Sequence, residues 1–135
     1  MILRHYPLDQ ECNPTLSQQV HPSSCAASVA AECAGEQGKF WEFHDALFQR
    51  QSELGPALYD DVAKKLGIDL DRFHASIQSH RHAAQIQSDM SAGSALGAQG
   101  TPTFFINGKK LVGAQPLDRF KQVIDAELAA AVAKK

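Results

Sequence analysis

Apolar side chains recur at intervals of three and four along most of the chain, and this period predicts amphipathic helices. The first helical segment opens near Pro22 and carries apolar positions as far as Gly35. Pro56 and Gly67 are typical of the start and the end of another helix. The pattern predicts helices over residues 22–35, 39–50 and 56–67, and a further pair over residues 69–97.

The segment 39–50 carries two adjacent helical rows of large apolar residues. The rows are Phe40–Phe43–Leu47 and Trp41–Phe48. Aromatic side chains at helical spacing are usually core rather than ligand contacts, so a wide buried stripe is expected here. His44 in the same segment is expected to be a polar edge of that core.

Two segments, one at the start of the chain and one before its last helix, have strand-like patterns. Residues Ile2–Leu8 favour a short strand that Pro7 halts. Thr103–Ile106 and Lys110–Val112 flank Asn107-Gly108, and Asn-Gly between such runs predicts a β-hairpin with a type I′ turn. A helical face from Leu117 onward closes the chain, so the order is strand, several helices, hairpin and helix.

Length and charge narrow the class of protein. A chain of 135 residues with 44% apolar residues can build one buried core. Its formal net charge of −2 gives no electrostatic footprint for nucleic acid or an anionic membrane, so neither is expected as a partner. The first ten residues lack the apolar region of a signal peptide, and no stretch is apolar enough to span a bilayer.

The three cysteines, Cys12, Cys25 and Cys33, match neither a Cys-x-x-Cys redox pair nor a paired zinc pattern. A disulfide between Cys12 and Cys25 and one between Cys12 and Cys33 are both open, as are free buried thiols. Cys25 and Cys33 cannot be bridged within one straight helix, because eight residues separate their α-carbons by about 12 Å.

Metal binding is a weaker interpretation of the same residues. Cys12, His21, Cys25 and Cys33 are ligand types that suit zinc, but Pro22 interrupts the helical face of His21 and the spacings are irregular. The pair His80-x-His82 does not share a helical face, so both side chains are expected to be solvated. No metal and no cofactor is predicted.

A resemblance to a known family rests on three stretches of the sequence, which occur in the same order as in that family. The run Gly97-Ala-Gln-Gly-Thr-Pro-Thr-Phe-Phe-Ile-Asn-Gly108 resembles the Gly-Thr-Pro-Thr-Phe-hydrophobic-Asn-Gly run of DsbA-like disulfide oxidoreductases. Arg4–Leu8 is similar to the family's second strand, and the passage from Ala31 to Asp45 is similar to its inserted helices. The resemblance covers nearly the whole chain.

The resemblance implies an α/β thioredoxin-like fold with a helical insertion. Residues 1–135 would form a single domain, with a strand of the N-terminal half at 1–9, the helical insertion at 20–96, and the cis-proline loop, hairpin and closing helix at 97–135. The family's first strand and its Cys-x-x-Cys helix have no counterpart here, so the chain is either a truncated product or a natural form that lacks them.

The resemblance also implies function. Family members exchange disulfides with cysteine-containing proteins or peptides, typically outside the cytoplasm, and some work with membrane quinone reductases of the vitamin K epoxide reductase type. Because the paired cysteines are absent, we expect this chain alone to be inactive. Cys25, near a predicted helix start, is the one cysteine that could serve as a catalytic candidate. The alternative function is a non-catalytic peptide-binding module.

Thr101 and Pro102 fall on the family's cis-proline position. A cis bond there would turn the Thr101 backbone toward an extended peptide, which could pair like an added strand. The simpler interpretation is that Pro102 starts a strand.

Absence of the family's first strand would leave two unpaired strand edges. Either the Ile2 strand pairs directly with Thr103–Ile106, or two copies associate through the exposed strands. We expect a homodimer, because a symmetric dimer is the commonest way to close such an edge.

Overall fold

The computed structural model describes residues 1–133, and Lys134 and Lys135 lie outside the described residues. The described chain consists mostly of helices, with one antiparallel pair of strands. The elements are α1 (Ser24–Gly35), α2 (Phe40–Gln49), α3 (Pro56–Lys65), α4 (Leu70–Gln78), α5 (Ala83–Ala95), β1 (Thr103–Ile106), β2 (Lys109–Val112) and α6 (Leu117–Ala133). The chain divides into two compact units, Met1–Gly93 and Ser94 onward.

Local sequence signals account for most helix ends. Pro56 occupies the first turn of α3, and Gly67 beyond its end has a φ of +70°, which only glycine adopts readily. The Asp69 side chain caps α4 by accepting a 3.0 Å hydrogen bond from the Arg72 N–H. Helix α1 begins at Ser24 rather than at the predicted Pro22, because Ser23 has a left-handed φ of +72°.

The core of the first unit lies between α1, α2, α3 and α4. Phe43 and Phe73 are fully buried, with ring centroids 5.6 Å apart, and Cys33 of α1 is buried beside them in the same cluster. The other buried members are Ala30, Ala31, Ala34, Leu47, Leu58, Tyr59, Val62, Ala63 and Ile68. The small residues of α1 allow close approach of its neighbours.

The prediction that both aromatic rows of α2 are buried is wrong for one row. Phe43 and Leu47 are buried, whereas Trp41 is 44% exposed and Phe48 is 64% exposed. Helix α2 packs its Phe43 side against α1 and α3, so Trp41 and Phe48, which lie about 140–160° from Phe43 around the helix, face the surface. Trp41 and Phe48 instead contact the ring of His44, at centroid distances of 5.4 and 4.7 Å.

The strand predicted over Ile2–Leu8, within residues 1–9, does not form. In residues 1–133 the sheet consists of β1 and β2 alone, and a strand exists only where a partner supplies its hydrogen bonds. Side chains hold this segment instead, together with one backbone hydrogen bond from the His21 N–H to the Leu8 carbonyl at 2.8 Å. Asp89 accepts from the His5 N–H at 3.1 Å and from the Arg4 guanidinium at 2.8 Å. The Asn13 amide donates to the Pro7 carbonyl at 2.9 Å.

The second unit contains the predicted hairpin and helix. Strands β1 and β2 pair antiparallel, with Thr103 opposite Val112 and Ile106 opposite Lys109. Asn107 and Gly108 have φ values of +48° and +82°, as a type I′ turn requires. Phe120 of α6 contacts Phe104 of β1 edge to face at 4.8 Å. No described residue of α6 is buried, and its exposed apolar residues are Leu117, Ile124, Leu128 and Val132.

Candidate functional site

The loop before β1 holds the residues that sequence analysis assigns to peptide binding. The Thr101–Pro102 peptide bond is cis, and both residues are exposed. The Pro102 carbonyl accepts a 2.8 Å hydrogen bond from the Gly113 N–H, and the Thr103 hydroxyl donates to the Gly100 carbonyl at 2.7 Å. These two bonds fix the loop to the base of the hairpin.

The backbone of Thr101 is open to a further partner. Within residues 1–133, no hydrogen bond is formed by its N–H or its C=O. An exposed backbone donor and acceptor beside a strand can receive an extended segment by main-chain pairing. Peptide binding at Thr101 and Pro102 stays a prediction.

The cysteines that sequence analysis left undecided have defined partners. Cys12 and Cys25 form a disulfide with α-carbons 6.0 Å apart, so the alternative pairing of Cys12 with Cys33 does not occur. Cys33 is a free thiol and fully buried in the core, and burial raises its pKa. Neither Cys25 nor Cys33 is therefore an exposed thiolate in this structure.

A buried carboxylate that sequence analysis did not single out lies beside the disulfide. Asp9 accepts from the Gln19 amide at 2.8 Å, from the Glu11 N–H at 3.1 Å and from the Cys25 N–H at 3.3 Å. Burial raises the pKa of Asp9, but these hydrogen bonds outweigh it and hold the pKa below its ordinary value. The carboxylate thus ties the loop 9–23 to the first turn of α1.

The residues of the zinc interpretation do not form a metal site. In residues 1–133, no three His, Cys, Asp or Glu side chains lie close enough together to hold a metal ion. Cys12 and Cys25 are bonded to each other. His82 was predicted to be solvated, but its ring is mostly buried and lies 2.6 Å from a Glu36 carboxylate oxygen.

Two histidine–glutamate pairs flank a surface depression of the first unit. His5 Nε2 lies 2.8 Å from Glu32 Oε1, and His82 Nε2 lies 2.6 Å from Glu36 Oε1. The depression, of about 480 Å³, is lined by Leu3, Glu32, Gly35, Glu36, Phe40, Trp41 and His82. The paired residues are 27 and 46 positions apart, so no local sequence pattern could have indicated them.

In a comparison with known proteins, most of the chain matches one protein-family model. Residues 4–125 match the model described as DSBA-like thioredoxin domain. None of the helices in residues 1–133 is both long and apolar enough to cross a membrane.

Larger bacterial proteins contain a region similar to this chain. The chain is 37% identical over 128 residues to Na(+)/H(+) antiporter NhaA 1 of Salinispora arenicola (strain CNS-205), covering 95% of the chain and 18% of that protein. It is 35% identical over 106 residues to Na(+)/H(+) antiporter NhaA of Herminiimonas arsenicoxydans, covering 78% of the chain and 17% of that protein. The chain spans less than a fifth of the length of these relatives.

Proposed function

Because the chain belongs to the DSBA-like thioredoxin domain family, we propose that it carries the peptide-binding part of a thiol–disulfide oxidoreductase and does not exchange disulfides by itself. The observation that carries this proposal is the state of its cysteines. Cys12 and Cys25 are bonded to each other, and Cys33 is buried with a raised pKa. Exchange needs an accessible thiolate, and these residues supply none.

The peptide-binding part of the proposal rests on the loop at Thr101–Pro102. Its backbone groups are exposed, and two hydrogen bonds anchor the loop to the hairpin. A rigid loop loses little conformational entropy when a peptide binds. The partners we propose are cysteine-containing proteins or peptides, and in the complete protein a membrane quinone reductase that would reoxidise the exchanging pair.

The state of the cysteines also supports a proposal for the compartment. Disulfides persist where the environment is oxidising and are rare in the reducing cytosol. The Cys12–Cys25 bridge therefore supports a location outside the cytoplasm for this domain. To test this proposed location, the domain would be expressed in a reducing and in an oxidising compartment, and its free thiols would then be alkylated.

The proposal that the chain does not exchange disulfides by itself is tested by insulin reduction and by oxidation of a reduced model peptide. The 135-residue chain should give only the background rate of a free thiol, whereas a family member with a Cys-x-x-Cys pair turns over. Cys33→Ala should behave like the native chain. A rate within tenfold of the intact relative that is lost on alkylating Cys25 would instead make Cys25 a catalytic residue.

The alternative, a non-catalytic peptide-binding module, rests on the same exposed Thr101 backbone. Titration of the isotope-labelled chain with an extended peptide should shift the amide signals of Thr101 and Thr103. Because the contact is made by the main chain, Thr101→Ser should bind like the native chain, whereas Pro102→Ala should weaken binding. Signals that shift elsewhere, with Thr101 unaffected, would argue against a peptide site here.

A further inference from the structure

The two sulfur atoms of the Cys12–Cys25 bridge have different surroundings. Cys12 lies on the loop 9–23 and is partly exposed, whereas Cys25 is the second residue of α1 and is buried. A thiolate in solution can therefore reach the Cys12 sulfur more readily than the Cys25 sulfur. Attack at Cys12 breaks the bridge and expels Cys25 as the leaving group.

Asp9 contacts Cys25 through both its carboxylate and its backbone carbonyl. One carboxylate oxygen accepts from the Cys25 N–H at 3.3 Å, and the Asp9 carbonyl oxygen lies 3.6 Å from Cys25 Sγ. Burial opposes the charge of Asp9, but hydrogen bonds hold its pKa below the ordinary 3.8, so the carboxylate is ionised at neutral pH. A Cys25 thiolate would face this charge and the carbonyl oxygen, whereas a Cys25 thiol can donate to that oxygen.

The position of Cys25 in the first turn of a helix would otherwise favour a thiolate. The N–H groups at a helix N-terminus lower the pKa of a nearby thiol, and so do neighbouring lysine and arginine side chains. Here the Cys25 N–H already donates to Asp9, and the stretch from Cys12 to Ala31 contains neither lysine nor arginine. Because a thiol of lower pKa leaves faster, these surroundings should slow the expulsion of Cys25.

We propose that the Cys12–Cys25 bridge is a redox-sensitive latch on the loop 9–23, which a dithiol opens by attack on Cys12, and that Asp9 keeps this opening slow. The inference concerns the first unit alone and does not depend on the peptide-binding proposal for Thr101 and Pro102.

Opening is a disulfide exchange in which the dithiol is oxidised and the bridge is reduced. One thiolate of the dithiol attacks Cys12 Sγ, and the bond between the two cysteine sulfurs breaks. Its electron pair passes to Cys25 Sγ, which takes up a proton. The second thiolate of the dithiol then attacks the mixed disulfide, closes to a cyclic disulfide and releases Cys12, which takes up a proton in turn.

Opening should loosen the loop and leave the first unit folded. The ends of the loop are held without the bridge, because the His21 N–H donates to the Leu8 carbonyl at 2.8 Å and the Asn13 amide donates to the Pro7 carbonyl at 2.9 Å. What reduction removes is the covalent tie between Cys12 and α1.

The native chain tests the point of attack. Incubation with excess glutathione, followed by an acid quench and peptide mass analysis, should find the mixed disulfide on Cys12. In the folded chain reduced by dithiothreitol, iodoacetamide should label Cys12 well before Cys25. A mixed disulfide on Cys25, or equal labelling of the two cysteines, overturns the proposal.

Matched variants test the contribution of Asp9. Asp9→Asn removes the charge and keeps an acceptor oxygen, and dithiothreitol should reduce this variant at least about threefold faster than the native chain. Glu11→Gln removes the same charge from an exposed neighbouring residue and should be reduced at the native rate. An unchanged rate in Asp9→Asn, or an equal increase in Glu11→Gln, overturns the specific effect of Asp9.

Gln19→Ala separates the charge of Asp9 from its contribution to stability. This variant loses the 2.8 Å hydrogen bond from the Gln19 amide to Asp9 but keeps the carboxylate. It should be less stable than the native chain and still be reduced at nearly the native rate without denaturant. An increase as large as that in Asp9→Asn would mean that loosening of the loop controls reduction, and it would overturn the effect of the charge. The glutathione and labelling measurements need no variant, so they test the latch even where a variant misfolds.

Discussion

The two compact units of the chain bury their apolar residues very differently. In the first unit, α1 to α4 enclose fully buried aromatic rings such as Phe43 and Phe73. In the second unit Leu111 is the one buried residue among those the structure describes, and α6 exposes several large apolar side chains. The first unit has a hydrophobic core, and the second has an amphipathic helix and a hairpin without one.

This difference shows what an apolar period can and cannot predict. Helices α2 and α6 both have apolar residues at helical spacing, but α2 buries Phe43 and Leu47, whereas no described residue of α6 is buried although Phe120 contacts β1. The hydrophobic contribution is proportional to the area removed from water, so the same pattern stabilises one unit far more than the other.

The largest expected effect is loss of a buried ring in the first unit. Phe43→Ala should lower the free energy of unfolding by about 3–5 kcal/mol, because it leaves a cavity in the core. Phe48→Ala, in the same helix but 64% exposed, should change it by about 0.5 kcal/mol or less. Urea unfolding followed by circular dichroism measures both. Similar losses in the two variants would contradict the described packing of α2.

Removal of the disulfide comes next. A bridge that closes a loop with a sequence separation of 13 should stabilise the chain by about 3 kcal/mol. Cys12→Ala/Cys25→Ala should therefore unfold at lower urea than the native chain. Thiol titration of the unfolded, unreduced protein should find one free thiol, Cys33, and reduction should raise the number to the three cysteines of the sequence. Three thiols before reduction would exclude the bridge.

Asp9 should make the first unit sensitive to acid. Its pKa is lowered on folding, so its stabilising contribution is complete above the ordinary value of 3.8 and is lost as the pH falls through the lower folded value. Asp9→Asn should lower stability by about 1–3 kcal/mol at neutral pH. It should also flatten the loss of stability below about pH 4. An unchanged acid profile in Asp9→Asn would show that other carboxylates govern it.

The smallest effect on stability is expected for a substitution in the second unit. This substitution should change the association of two chains more than it changes stability. The chain is expected to dimerise through exposed strand edges at micromolar concentration. Phe105→Lys places a charge on β1 and should lower the mass seen by light scattering, with stability changed by about 0.5 kcal/mol or less. Leu128→Lys adds the same charge to α6 and should leave the mass unchanged. A monomeric native chain would contradict the dimer.

The sequence predicted the class of fold and most of its elements. The α/β thioredoxin-like class is confirmed by the family match over residues 4–125, and the helices and the hairpin lie close to their predicted bounds. These elements depend on local signals, such as Pro56, Asp69 and Asn107-Gly108. The prediction of a strand at Ile2–Leu8 was wrong because a strand needs a neighbouring strand to pair with, and local sequence signals do not specify that partner.

The candidate sites were less predictable. The choice of Cys25 over Cys33 as the partner of Cys12 depends on the path of the loop 9–23, which Asp9 fixes by hydrogen bonds that no spacing rule indicates. The two histidine–glutamate pairs join positions far apart in sequence. Such pairs follow from packing of the completed unit, so they could be found only in the structure.

In the N-terminal segment the backbone at His5 is held by the Asp89 side chain and not by a strand ladder, and this has a consequence for the exchange of amide hydrogens with solvent. The His5 N–H donates to the buried carboxylate of Asp89, so it should exchange slowly. The exposed residues Met1 and Ile2 have no such bond in the described chain, and the Ile2 amide should exchange at nearly the rate of an unfolded peptide. A strand would protect alternate amides along its length, whereas here the contrast should be between a slow amide at His5 and a fast one at Ile2.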